Sequence, residues 1–125
     1  MKWWRFLPAL AWAGFIFFLS AQETLPVVLP FSFSDKLEHA VAYGVLCVLI
    51  VFALGSLKRR HLVLAVVLSS LYGASDEIHQ MFVPGRTPDV FDWLADSVGA
   101  VAAAGALYVF ARMRQTSSAR KLATR

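Results

Sequence analysis

Four apolar stretches, each near the length that crosses a bilayer, constrain this chain more than any other feature. They run from about Trp3 to Leu19, Leu37 to Gly55, Leu62 to Ser75 and Phe91 to Ala111. A spanning helix needs about 20 mostly apolar residues, because the hydrocarbon core is about 30 Å thick and a helix rises about 1.5 Å per residue. In lipid the backbone must satisfy its own polar groups, so continuous apolar runs of this length read as helices. Composition agrees: 58% of the 125 residues are apolar and 16% charged, too little polar surface to keep a soluble domain of this size dispersed. The expected fold is all-α, a polytopic membrane protein built as a four-transmembrane-helix bundle. Residues 1–114 form that domain, and 115–125 read as a disordered basic tail. The third stretch is the shortest and carries Tyr72, Asp76 and Glu77 near its end.

Charge placement orients the bundle. Lys2 and Arg5, the run Lys58-Arg59-Arg60, and the tail residues Arg112, Arg114, Arg120, Lys121 and Arg125 make up ten of the twelve Lys and Arg residues. With four spans these places share one side, and the excess of Lys and Arg in cytoplasmic loops makes it the inside, with both termini cytoplasmic. The acidic residues Glu23, Asp35, Glu38, Asp76, Glu77, Asp89, Asp92 and Asp96 all fall toward the outer side. The net charge of +4 therefore reflects topology, and nucleic acid is not an expected partner. Lys2 and Arg5 before an apolar run resemble a signal peptide. However, Leu19 stands where signal peptidase needs a small residue, and Trp3, Trp4, Trp12 and Pro8 suit the interfacial start of a permanent helix. The loop residues Leu25, Val27, Val28, Leu29, Phe31 and Phe33 are expected in the membrane interface. Cys47, among valines and leucines, reads as a small buried hydrophobe.

The chemistry-bearing residues gather on the outer halves of three helices. Asp35, His39 and Tyr43 share a face by i, i+4, i+8 spacing, with Lys36 beside them. An N-cap at Ser34 or Asp35 explains the acids there, but not His39 and Tyr43 deeper in the span. Tyr72, Asp76, His79 and Gln80 share a second face, with Glu77 about a hundred degrees away. Two carboxylates at a helix C-terminus oppose its dipole and call for a compensating cation, metal or partner. Asp92 and Asp96 lie on the small-residue stripe Ala95, Gly99, Ala103, which directs them at other helices, with Arg86 as their expected counter-ion. An ion-pair lock formed by Lys36 and Arg86 with these acids is the plain structural alternative to a functional site.

Read together, Asp35-Lys36-x-x-His39-x-x-x-Tyr43, Tyr72-Gly73-x-x-Asp76-Glu77-x-His79-Gln80-x-Phe82-Val83-Pro84-Gly85-Arg86 and Asp92-x-x-x-Asp96-x-x-Gly99 resemble the VanZ-like membrane protein family. That resemblance implies a bacterial cytoplasmic (inner) membrane protein of the cell envelope, linked to resistance to teicoplanin-type glycopeptide antibiotics. Members of that family commonly carry Asn at the place of Asp96, which implies hydrogen bonding there. Two functions follow as expectations. In the first, the site recognises a lipid-linked or cell-wall precursor head group, with Lys36 and Arg86 on phosphate and Tyr43, Tyr72, Gln80, Asp92 and Asp96 completing the binding set. In the second, His39, Asp76, Glu77 and His79 are catalytic residues of an intramembrane hydrolase or transferase. The same four are the candidate ligands of a divalent metal, the one cofactor the residues suggest. A transporter is disfavoured, since Val45 to Ala53 and Leu62 to Leu68 offer no polar path.

Overall fold

The computed structural model describes residues 2–23 and 32–123. A single 3₁₀ turn, Trp3–Phe6, leads into α1 (Leu7–Ser20), followed by α2 (Ser32–Leu54), α3 (Arg59–Gln80) and α4 (Val90–Ala123). Each span is long and apolar enough to cross a membrane, and no strand occurs among the described residues. The interfacial residues expected at Leu25, Val27, Val28, Leu29 and Phe31 lie outside the described residues.

Packing is built on small residues. α4 lies closest to α2 and next to α3, while α1 packs on α2 and α3 and not on α4. A Cβ at Gly99 would collide with the Ala40 backbone carbonyl, and a Cβ at Gly44 would stand 3.2 Å from the Gly99 carbonyl oxygen. Helix association in lipid has no hydrophobic drive of its own, so it relies on backbone approach of this kind and on interhelical hydrogen bonds. Three such bonds follow: Trp12 Nε1 donates to the Ala42 carbonyl at 2.9 Å, Tyr72 Oη to the Ala13 carbonyl at 2.6 Å, and Trp93 Nε1 to the Ser70 carbonyl at 3.1 Å. Trp12 is thus a tie between helices and not the interfacial anchor expected of it. Leu46, Cys47, Ile50, Leu62, Ala65, Ala100 and Ala104 fill the centre. The outward faces keep large apolar side chains such as Val45, Phe52, Val67 and Val101 exposed, a surface suited to lipid.

The two ends differ as the charges require. Arg5 lies over the Phe52 ring at 4.8 Å, which brings the N-terminus beside the α2–α3 turn. There Gly55 takes φ +69, the left-handed conformation that ends a helix, and its N–H caps Val51 and Phe52 carbonyls. α3 starts with Arg59 and Arg60 and carries Asp76 and Glu77 near its C-terminal end, charges placed against its dipole at both ends. One sequence expectation at the helix ends needs correction. α2 begins at Ser32, so Asp35 sits in its first turn and neither Ser34 nor Asp35 is its cap. α4 runs to Ala123. Adding a residue to an existing helix needs no new nucleus, and Ala, Arg, Lys and Leu all favour it.

Candidate functional site

The acidic end of the bundle carries two adjoining polar places, and neighbouring residues of one α3 turn feed them separately. Asp76 and Gln80 face α1 and α2, whereas Glu77 faces α4. The hundred-degree step between successive helical residues separates them.

The first place is a pocket of about 130 Å³ lined by Ile16, Leu19, Ser20 and Ala42 on its apolar side, and by Asp35, Glu38, His39, Tyr43, Asp76, Gln80 and Arg86 on its polar side. Gln80 Nε2 donates to Asp76 Oδ2 at 3.4 Å, and both residues are buried. Tyr43 is buried with its hydroxyl unpartnered among the described residues. Arg86 donates from Nε to the Gln22 carbonyl and from Nη2 to the Leu19 carbonyl, each at 3.1 Å. It is therefore not the counter-ion of Asp92 and Asp96 expected from the sequence. The Val83–Arg86 turn directs it to the C-terminal end of α1, where carbonyls past the last full helical turn take further donors. Among the described residues only these two carbonyls hold the guanidinium, and they do so without neutralising it; two contacts leave three of its five donors, so charge and hydrogen bonds remain there for a ligand.

The second place lies between α2, α3 and α4. Lys36 Nζ pairs with Asp92, with Asp89 at 2.7 Å and with Asp35 at 3.6 Å. Lys36, not Arg86, is thus the counter-ion of Asp92. His39 Nδ1 lies 2.8 Å from Asp96 Oδ1, and its Nε2 lies 3.8 Å from Asp92 Oδ2. Asp96 is fully buried, and its second oxygen has no partner among the described residues. α3 admits it by having no side chain at Gly73, where a Cβ would stand 2.7 Å from Asp96 Oδ2. Glu77 Oε2 accepts the Asp89 N–H at 2.8 Å, while Oε1 is buried and unpartnered. A charged residue at the centre of a span costs about 2.5 to 3.5 kcal/mol on insertion scales, so this concentration of acids needs strong compensation.

Asp89, outside the spans, had no site role in the sequence reading, although an Asp directly before an apolar helix is a recognisable cap. Its Oδ1 accepts the Phe91 N–H at 2.9 Å. The Lys36 ammonium and that N–H hold its carboxyl below the usual carboxylate range. Of the expected site residues, Lys36, His39, Glu77, Asp92 and Asp96 are brought together, and Tyr43, Asp76, Gln80 and Arg86 line the adjoining pocket with His39. Tyr72 and His79 turn elsewhere. Tyr72 bonds to α1, and His79 stacks on Phe17 of α1 with ring centroids 4.4 Å apart. Of the four candidate metal ligands only His39 and Glu77 converge, and the third group with metal-ligand proximity is Asp96.

Neither the curated proteins nor the solved structures yield a match to this chain. A family model described as VanZ/LLP1 matches residues 5–111, from the start of the first span to the end of the apolar part of α4 and including every site residue above. The chain belongs to the VanZ/LLP1 family.

Proposed function

We propose that this protein is a cell-envelope factor of the bacterial cytoplasmic membrane that binds the phosphate-bearing head group of a lipid-linked cell-wall precursor, with both termini in the cytoplasm and its acidic end outside. The single observation that carries this reading is Arg86, held by two main-chain carbonyls at the edge of a pocket whose other wall is apolar. An amphiphile with a phosphate meets the guanidinium at its head and Ile16, Leu19 and Ala42 at its first methylenes. Asp35, Glu38, Asp76 and Gln80 then accept from hydroxyl or amine groups beside the phosphate. At about 130 Å³ the pocket is well below the ~300 Å³ of a drug-sized site. It takes one phosphate-sized group and leaves the rest of a large head group in the open. A role in tolerance of teicoplanin-type antibiotics, which the resemblance to the family implies, accords with such binding.

Native mass spectrometry of the full chain in mild detergent tests this reading, with a polyprenyl phosphate offered against phosphatidylglycerol. Preferential retention of the polyprenyl phosphate is expected, falling about tenfold in Arg86→Gln. Equal retention of both lipids, or indifference to Arg86→Gln, overturns the reading. A metal-dependent hydrolase or transferase acting on the same precursor is the second reading, favoured by the proximity of His39, Glu77 and Asp96. Release of inorganic phosphate from a polyprenyl diphosphate, abolished in Glu77→Gln, separates catalysis from binding alone.

A further inference from the structure

We propose that His39, Glu77 and Asp96 form a binding site for one divalent transition-metal ion of the zinc class, at the junction of α2, α3 and α4. This inference stands on the buried cluster and does not depend on the head-group reading.

One ligand atom from each of the three residues lies within 4.8 Å of the other two. Proximity of acids alone does not make a site. The independent observation is that the carboxylates are each half satisfied. Asp96 is 0% exposed; one oxygen meets His39, and the other has no partner among the described residues. Glu77 repeats the pattern, with one oxygen on the Asp89 N–H and the other buried and free. The free Asp96 oxygen faces Gly73, one turn before Glu77 on α3, and a carboxylate oxygen of each residue lies within 4.8 Å of one from the other. An unpaired buried carboxylate oxygen is among the costliest groups to leave unmade, and such atoms call for an explanation.

The available cations do not supply it. Lys36 spends its ammonium on Asp35, Asp89 and Asp92, and no Lys or Arg among the described residues pairs with Glu77 or Asp96. Arg86 is turned to α1. That leaves His39, among the described residues, as the basic partner of the inner carboxylates. One imidazole with two carboxylates is a donor set for zinc or its neighbours, since magnesium and calcium take oxygen-only sets. Asp89, through its backbone N–H, orients Glu77 as groups behind metal ligands do. Two ligands of one zinc ion lie at most about 4.2 Å apart, so binding draws the three groups modestly together.

The test uses tag-free full-length protein in mild detergent, stripped with chelator, equilibrated with zinc chloride, desalted and measured by mass spectrometry of the metal. About one zinc per chain is expected. Glu77→Gln and Asp96→Asn should each weaken zinc binding at least about tenfold, while His79→Gln and Asp35→Asn change it less than about twofold. Zinc should also raise the melting temperature of the parent and leave that of Glu77→Gln unmoved. If the variants do not fold, manganese loaded into the parent decides, by its electron spin resonance: nitrogen coupling from one histidine is expected. A parent that holds no zinc, zinc binding unaltered in both Glu77→Gln and Asp96→Asn, loss with Asp35→Asn in their place, or manganese without nitrogen coupling overturns the site.

Discussion

Asp96 Oδ1 and His39 Nδ1 lie 2.8 Å apart across the α2–α4 interface, and the aspartate is wholly enclosed. The pair sits one helical turn from Gly99, where the two backbones come closest. The same close approach that packs the helices therefore shuts the carboxylate away from water and lipid.

Removing the histidine should cost more than neutralising the acid. His39→Ala strands a buried charge, which costs about 3–5 kcal/mol where one partner of a buried pair is deleted. Asp96→Asn removes that charge and keeps an acceptor for His39, so it should cost about 1 kcal/mol or less. Chemical unfolding in mild detergent with chelator present measures both, and the opposite order would show that the pair does not govern this interface.

Glycines on two faces of α4 should respond in opposite directions. Gly99→Ala drives a methyl group into the Ala40 carbonyl, whereas a Cβ at Gly105 meets nothing within 4 Å. Overpacking of this kind costs about 1–3 kcal/mol. Gly105→Ala should gain roughly 0.5–1 kcal/mol from helix propensity. Melting temperatures of the two variants decide.

Acid should loosen the α3–α4 loop through Asp89. Its folded-state carboxyl is held below its ordinary value, chiefly by Lys36. The stabilisation is thus fully present above that ordinary value and is lost as pH falls through the lower, folded one. The parent's advantage in melting temperature over Asp89→Asn should be constant near neutrality and shrink once pH drops below about 4. An advantage that persists unchanged into stronger acid contradicts the assignment to the charged pair.

Topology is checked by single-cysteine labelling in a Cys47→Ala background. Cys47 is fully buried and lies away from the polar end, so its replacement by alanine leaves only a small cavity at the centre of the bundle. An impermeant reagent on intact cells should label Ser32→Cys and spare Ser117→Cys, and the reverse pattern would invert the proposed orientation.

Hydrophobic length and charge segregation were enough, read along the chain, to define four spans and the acidic end, because both are one-dimensional properties that bilayer thickness and charge translocation act on directly. The small-residue stripe at Gly99 and the shared face of Asp35, His39 and Tyr43 were legible for the same reason, as helical spacing alone places them. Partners were not legible. Arg86 and Lys36 stand equally near the acids in sequence logic. The Val83–Arg86 turn sends one to carbonyls at the C-terminal end of α1, while the start of α2 brings the other to Asp89 and Asp92. Asp76 and Glu77 are adjacent in the chain yet serve different places, because α1 and α4 flank α3 on different sides. His79, by its motif a candidate beside Glu77, rests on Phe17 instead. Spacing along a helix determined which residues could share a face; only the packing of α1 and α4 around α2 and α3 decided what each face meets, since that depends on backbone approach at Gly44 and Gly99 and on the room Gly73 leaves for the Asp96 side chain.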